Sequence, residues 1–410
     1  MLLRGDNMTD KALSGITVID FTEGISGPYA TKLLADYGAT VIKIESPGVG
    51  DGTRRSGPFP DDLPHIEKSG MFLFLNTNKK SVTLNLETNA GAKIAQELLK
   101  NADAIVESYK PGTMDRFGLS YQDVKEINPK LSYISISNFG QTGPYKDYDL
   151  SEIVLYAMGG EMYSTGLEDE SPLMLGPNMS LFQGGAIAAV GSLGTIYRSQ
   201  LEGSGQHVDI SLMECLAGSI DRRMATTLAY EYTGEITERK ALSAVGYPLG
   251  VYPCADGYFE LVGGLLRWNQ VVQMLGSPPE LLDPKWSTPE AMQDPELNAE
   301  FDEIFFPWIL SKTKQELWSL AQANNIQSAP LNNMEDVASD PYFKEQGYFT
   351  NIAHPVAGDF LFPGAPWIMS ETPWEIQTPA PLLGEHTQEL LSAIGYTPND
   401  LVRLREQNCI

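Results

Sequence analysis

The sequence predicts a doubly wound α/β fold, Rossmann-like in its large first domain, with a smaller α+β domain beside it. Three observations predict it: short β-branched apolar runs of strand length, amphipathic helical stretches between them, and a fresh start of strand and helix signals beyond about Lys240. At 410 residues the chain also exceeds what one hydrophobic core usually organises.

The first strand is Gly15 to Phe21 (GITVIDF), a nearly continuous apolar run suited to a parallel strand buried on both faces. A helix follows, because Ala30, Leu33, Leu34 and Tyr37 share one face, Pro28 suits a first turn, and Gly38 can close the end in a left-handed conformation. Thr40 to Glu45 is the next strand. The alternation repeats with Ser81 to Leu86 as a strand, a helix turning Ile94, Ala95, Leu98 and Leu99 inward, and strands at Ala104 to Glu107 and Leu131 to Ser137.

From Ser151 to about Leu228 the pattern is mainly helical, interrupted by a strand at His207 to Leu212. Within it, Gly184 to Gly194 (GGAIAAVGSLG) is rich in small residues, which favours close helix packing over a phosphate loop. Strands at Leu249 to Pro253 and Tyr258 to Val262, then an amphipathic segment with Trp268, Val271, Val272 and Leu275, mark the smaller domain. The Pro-rich stretch from Pro355 to Pro381 reads as a surface arm returning to the first domain. The expected division is a large domain at 1–228 completed by 340–410, a small domain at 245–335, and linkers at 229–244 and 336–380.

The composition, 42% hydrophobic and 20% charged, is that of a folded soluble protein, and no segment has ~20 uninterrupted apolar residues. The opening MLLRGDNMTDKA lacks the apolar core of a secretory signal, so a cytoplasmic location is expected. Cys215, Cys254 and Cys409 have no CxxC spacing and suggest neither a disulfide framework nor a metal site. A formal charge of −25 argues against a nucleic-acid partner, and an anionic ligand would need a local basic pocket.

On residues alone, the first βα turn (FTEGISGPYA) could aim backbone amides at an anion, but it has neither GxGxxG nor a P-loop lysine and reads as a structural turn. No GxSxG is present. His207 begins a strand and reads as structural, while His65, His354 and His386 read as exposed. The acidic run Glu168, Asp169 and Glu170 reads as a solvated loop.

Several phrases taken together carry a resemblance. LSGITVIDFTEGISGPYATKLLADYGATVIKIESPGVGD, NKKSVTLNL, ADAIVESYKPGTMDRFGLSYQDVKEINPKLSYISISNFGQTGPY, GSGQHVDISLMEC and GVYPCADGYFELVG occur in that order over nearly the whole chain. They resemble the class III CoA-transferases, the formyl-CoA and carnitine CoA-transferase type, a family that also holds α-methylacyl-CoA racemases. The resemblance implies an interlocked dimer, a coenzyme A thioester as substrate, and no permanently bound cofactor. It implies CoA contacts at Ile25, Ser26, Leu84, Ser108, Tyr109, Lys110, Arg116, Ser137, Asn138 and Phe139. Arg116 closes the PGxxxR phrase, and its guanidinium could hold a phosphate bidentately. This chain departs from relatives that carry a basic residue at the positions of Ser46 and Ser137, or Asn at that of Ser108.

Catalysis in the family resembles a relay through one Asp carboxylate in a DxxxG phrase, which forms a mixed anhydride and then an aspartyl-CoA thioester. Counting back from Arg198, Gly203, Gly205, Gln206 and Asp209 places Gly184 at the phrase's glycine and Ser180 in the catalytic slot. A serine ester is too stable to pass its acyl group to a carboxylate, and the sequence offers no general base for the hydroxyl. No catalytic residue is therefore expected in this chain. The racemases' His-Asp pair is also absent, since Ser151 and Glu152 stand at its positions.

The resemblance points further to the subunit of succinyl-CoA:(R)-benzylsuccinate CoA-transferase that lacks the aspartate. It implies a non-catalytic subunit, inactive alone, of a hetero-oligomer with an Asp-bearing paralogue. Such a complex would move CoA from succinyl-CoA to a carboxylic acid such as (R)-benzylsuccinate in anaerobic toluene degradation, with no nucleic-acid or membrane partner. A self-sufficient transferase using another carboxylate and a CoA-binding or regulatory protein without activity are the alternatives.

Overall fold

The computed structural model of the chain describes residues 11–218, 222–236, 238–239 and 246–410. The chain forms two compact units, one of residues 1–165, 173–237 and 347–410, the other of 166–172 and 238–346. Residues 237 and 240–244 of the expected first linker lie outside the described residues.

The larger unit begins with β1 (Thr17–Phe21), α1 (Ser26–Asp36), β2 (Thr40–Glu45), α2 (Gly70–Leu75), β3 (Lys79–Thr83), α3 (Asn89–Leu99) and β4 (Ala104–Glu107). Then come α4 (Thr113–Arg116), α5 (Tyr121–Ile127), β5 (Ser132–Ser137), α6 (Glu152–Met158), α7 (Met179–Glu202), β6 (His207–Ser211), α8 (Leu212–Ala217) and α9 (Arg222–Thr233). Six strands form one parallel sheet in the order β3-β2-β1-β4-β5-β6. That order reverses direction between β1 and β4, the place where open α/β sheets bind ligands beyond their carboxyl ends.

Alternation along each strand divides the core in two. Ile19, Phe21, Ile42, Ile44 and Ile105 face α3 and α5, while Val18, Val41, Val106, Ile134 and Ile136 face α1 and α7. The small residues of α7 serve its approach to α1: a Cβ on Gly185 would lie 2.5 Å from the Ser26 carbonyl oxygen and 3.1 Å from the Tyr29 ring. By length and composition α7 could cross a membrane, with a mean hydropathy of 1.3, but its inner face is buried in this core. Its outer face leaves Val190, Tyr197 and Leu201 about two-thirds exposed.

The smaller unit holds β7 (Leu249–Cys254), β8 (Gly257–Val262), α10 (Trp268–Met274), α11 (Pro295–Leu310), α12 (Lys314–Ala323), β9 (Gln327–Pro330), α13 (Met334–Ser339) and α14 (Pro341–Glu345). Its three strands pair antiparallel in the order β7-β8-β9 around an aromatic core that includes Tyr247, Trp268, Trp286, Phe301 and Phe305.

The chain then returns to the larger unit through the hairpin β10 (Phe349–His354) and β11 (Gly358–Pro363), and ends in α15 (Thr387–Ala393) and α16 (Pro398–Glu406). Residues 336–380, expected to be a linker, thus carry most of α13, all of α14 and a hairpin whose Ile352 and Phe362 pack against Phe72 and Leu73. Strands this short beside prolines give too few alternations to stand out in the sequence. Residues 229–233 of the other expected linker continue α9. The returning arm is tied down by Lys11 Nζ to Glu375 (2.7 Å), by the Arg54 guanidinium to the Pro381 carbonyl (3.1 Å), and by the Gly384 N–H to Ser81 Oγ (2.9 Å).

Candidate active site

The loops after β1, β3, β4 and β5 carry the residues expected to meet CoA, so the fold gathers them along the carboxyl edge of the sheet. Ile25 and Ser26 open α1, which can start close against β1 because Gly27 has no Cβ; one built there would lie 2.4 Å from Thr22 Cβ. Across the switch point, Ser108 Oγ accepts the Glu23 N–H at 2.9 Å and donates to the Glu23 carbonyl at 3.3 Å. This serine therefore pins the two loops that border the cleft.

The remaining candidates divide by exposure. Arg116 is exposed, its guanidinium 5.8 Å from the Phe117 ring, and it makes no ion pair among the described residues. Lys110 is exposed and paired with Asp149. Tyr109 packs on the core beside Phe117, and burial pushes its hydroxyl above the usual phenol range. Ser137 is buried with no hydrogen-bond partner for its hydroxyl among the described residues, the Asn138 carbonyl accepts the Met213 N–H, and Phe139 is buried against Tyr145 and Tyr148. Leu84 is only 1% exposed, so its side chain belongs to the core and its backbone alone is available to a ligand.

Ser180 sits in the first turn of α7, 2% exposed. Its neighbour Leu181 accepts a 2.8 Å hydrogen bond from Ser26 Oγ, which brings the expected catalytic slot beside the start of α1. The sequence offered no base for this serine; the structure supplies one. Ser180 Oγ donates to Glu152 Oε1 at 2.7 Å, the Ser180 N–H donates to the same oxygen at 3.2 Å, and the Asn178 N–H donates to Glu152 Oε2 at 2.6 Å. A carboxylate from α6 thus satisfies backbone donors that a helix start leaves open, where the helix dipole favours negative charge. Glu152 lies 28 residues before Ser180, so no local spacing rule could pair them. Glu168, Asp169 and Glu170 belong to the other compact unit.

Three basic side chains of β2, β3 and the loop after β2 are used internally. Lys43, Arg54 and Lys79 are each fully buried and paired with Asp51, Glu45 and Asp20 respectively. Burial alone would raise the Asp20 carboxyl; Lys79, Lys43 and hydrogen bonds from Thr22 and Thr31 outweigh it and hold the group at about 2. These cations are therefore not free to meet a ligand anion.

A separate cavity of about 240 Å³ includes Glu107, Lys110, Tyr121, Ser135 and His207 in its lining. Burial pushes the Glu107 carboxyl up to about 7, against hydrogen bonds from Ser135 and the Tyr109 N–H and with Asp209 and Asp115 adding to the rise. The folded value lies above the ordinary 4.5, so the stability this group confers is present below that value and is lost as pH rises through about 7. Glu107→Gln is expected to flatten that decline, on the order of 2 kcal/mol between about pH 5 and about pH 8. Urea unfolding across that range measures it; an unchanged slope would refute the assignment. His207 closes the cavity, stacked on Tyr121 and 3.0 Å from Ser135 Oγ. His65 is exposed as expected, but His354 is buried at the end of β10 and His386 is half-buried at the start of α15. Both are packed where the returning arm meets the large unit, which a reading of local polarity did not anticipate.

Comparison with known proteins gives concordant results. The model of CoA-transferase family III matches residues 13–387. The chain is 34% identical to a formyl-CoA:oxalate CoA-transferase of Streptomyces coelicolor, over 98% of this chain and 100% of that one. It is 30% identical to subunit BbsE of the succinyl-CoA:(R)-benzylsuccinate CoA-transferase of Thauera aromatica, over 97% and 98%. Among solved structures, a CAIB/BAIF family protein from Brucella suis superimposes with a TM-score of 0.83 at 27% identity, covering 94% of this chain and 100% of that one.

Proposed function

The chain belongs to CoA-transferase family III, and from that membership we propose that it is the non-catalytic subunit of a heteromeric transferase acting on CoA thioesters. The complex moves CoA from a donor such as succinyl-CoA to a carboxylic acid; although identity to the formyl-CoA:oxalate transferase is higher, the missing aspartate at residue 180 together with the likeness to the Thauera aromatica subunit makes (R)-benzylsuccinate our proposed acceptor. An Asp-bearing paralogue supplies the relay carboxylate. The observation that carries this reading is Ser180 at the slot, a buried hydroxyl already bound to Glu152. A serine ester does not serve as a leaving group toward a carboxylate acceptor, so the acyl relay must run through a carboxylate elsewhere. The buried, unpartnered Ser137 hydroxyl and the unpaired Arg116 favour retention of CoA binding at the sheet edge. The exposed apolar stripe of α7 favours a protein partner over an isolated subunit.

The test compares the purified chain with the chain co-expressed beside its paralogue, both given succinyl-CoA and carboxylic acid acceptors. The chain alone should give no turnover. The pair should be active and lose activity when the paralogue's aspartate becomes asparagine. Turnover by the homogeneous chain at rates comparable with the pair would overturn the reading. A second reading is favoured by one observation, the 2.7 Å bond between Ser180 and Glu152, which puts a carboxylate at the slot's edge. On that reading the chain is self-sufficient through Glu152, and Glu152→Gln abolishes turnover of the chain alone.

A further inference from the structure

A cavity of about 300 Å³ lies beyond the carboxyl ends of β2 and β3, walled by the Pro47-Gly48 turn, Thr83, Gly384, Thr387 and Arg405. It differs from its surroundings in charge. The chain carries −25 overall, and the one charged side chain lining this cavity is the cation Arg405; Leu383 and Ile410, with its main-chain carboxylate, complete the lining. Arg405 projects from α16, is exposed, and forms no ion pair or side-chain hydrogen bond among the described residues. Of the neighbouring cations, Lys43, Arg54 and Lys79 are buried against their own carboxylates, Lys80 pairs with Glu389, and the exposed Arg55 donates to the Val49 carbonyl. Ser46, which precedes Pro47, brings no charge.

The walls also leave a donor available. The Gly48 N–H makes no hydrogen bond among the described residues, and a Cβ built on Gly48 would meet nothing within 4 Å, so this turn faces open space. The cavity is joined to the expected CoA-binding edge through the chain's last residues. The Asn85 N–H donates to the Cys409 carbonyl at 2.7 Å and Asn85 Nδ2 to the Asn408 carbonyl at 3.2 Å, fastening the loop that begins at Leu84 to the segment that follows Arg405.

We infer that this cavity holds a phosphate group of the CoA thioester, with the Arg405 guanidinium as its cation. The inference rests on the CoA-thioester reading of the cleft. A guanidinium with no partner among the described residues, beside a backbone N–H and the Thr83 and Thr387 hydroxyls, which bond to each other at 3.2 Å, suits a phosphate oxyanion. Arg405 and Arg116 then bracket the edge from the β3 side and the β4 side, so that a ligand with several phosphates is gripped at two separated points.

The experiment measures binding by calorimetry at low salt, using CoA, inorganic pyrophosphate and phosphate-free pantetheine as probes. Arg405→Gln should weaken CoA about tenfold or more, Arg405→Lys should recover part of that, and pantetheine should be unaffected. The thermal midpoint of Arg405→Gln should stay within about 1 °C of the wild type, because the side chain is exposed and unpaired. Equal CoA affinity in the wild type and Arg405→Gln overturns the pocket while leaving the CoA reading intact. Pyrophosphate binding that depends on Arg405, without any CoA binding, upholds the phosphate site and overturns the CoA reading. Failure of the wild type to bind either probe overturns both.

Discussion

Ser180→Asp in the isolated chain is expected to raise CoA transfer from background to a measurable rate, by roughly 10²-fold or more. The estimate follows from the usual scale of removing a nucleophile, which costs several powers of ten, with only part recovered in a site whose surroundings have drifted. The position is favourable, since the first turn of α7 presents residue 180 beside Ser26 and the start of α1. Glu152 will be the new side chain's neighbour, because it now receives the Ser180 hydroxyl at 2.7 Å. Two carboxylates at such a distance resist double ionisation and share a proton, so the acquired activity should climb as pH rises. Adding Glu152→Gln removes that repulsion and should move the climb to lower pH. If the folded Ser180→Asp protein binds CoA but stays at background at every pH, residue 180 is not where the chemistry of this fold occurs. The comparison also separates the two functional readings, since a chain already working through Glu152 would be active before the change.

Arg54→Met should be among the most destabilising single substitutions in the chain, at about 3–5 kcal/mol near pH 7. Arg54 is fully buried, donates to both oxygens of Glu45 at 2.7 and 2.9 Å, reaches Glu67 at 2.6 Å and the Pro381 carbonyl at 3.1 Å, and lies 3.6 Å from the Phe72 ring centre. Methionine fills much of the volume but strands Glu45, which is almost wholly buried. Burial works to raise the Glu45 carboxyl, and in the native fold Arg54 outweighs it and holds the group below the ordinary carboxylate range. A depressed folded value gives stability that is present above the unfolded value and lost as pH falls through the folded one. Without Arg54 the sign reverses, so the variant's deficit should be greatest near neutrality and shrink in acid as Glu45 takes up a proton. Urea unfolding at about pH 7 and about pH 4.5 measures both effects. The double variant Arg54→Met/Glu45→Met should recover part of the loss, since an apolar pair leaves no orphaned charge. A loss below about 1 kcal/mol at neutral pH would refute this account.

The parallel sheet was legible because its strands are buried on both faces and so appear as unbroken β-branched runs such as TVIDF and TVIKIE. The crowding of α7 on α1 was legible from the Gly-Ala stretch around Gly185. The β10–β11 hairpin was hidden, because short strands among prolines look like an arm until Ile352 and Phe362 find Phe72. At the site, Ser180 could be located by counting from a neighbouring phrase, but its partner Glu152 could not. That contact depends on the approach of two helices distant in sequence, which no periodicity encodes. The buried state of Lys43 and Lys79 was likewise invisible, since a lysine in a strand reads the same whether it faces water or Asp51 and Asp20.

The tie between the returning arm and the first strands has a consequence for biosynthesis. Ser81, Arg54 and Lys11 have their partners at Gly384, Pro381 and Glu375, between 303 and 364 residues further along the chain. A ribosome releases the amino end first, so the large unit must wait half-built, its inner surfaces uncovered, while the whole of 238–346 emerges. Most of the smaller unit lies in that one stretch, so it can condense while the larger is still waiting. Contacts of such long sequence separation close slowly, and the interval is when a half-made chain is most open to wrong associations and to chaperones.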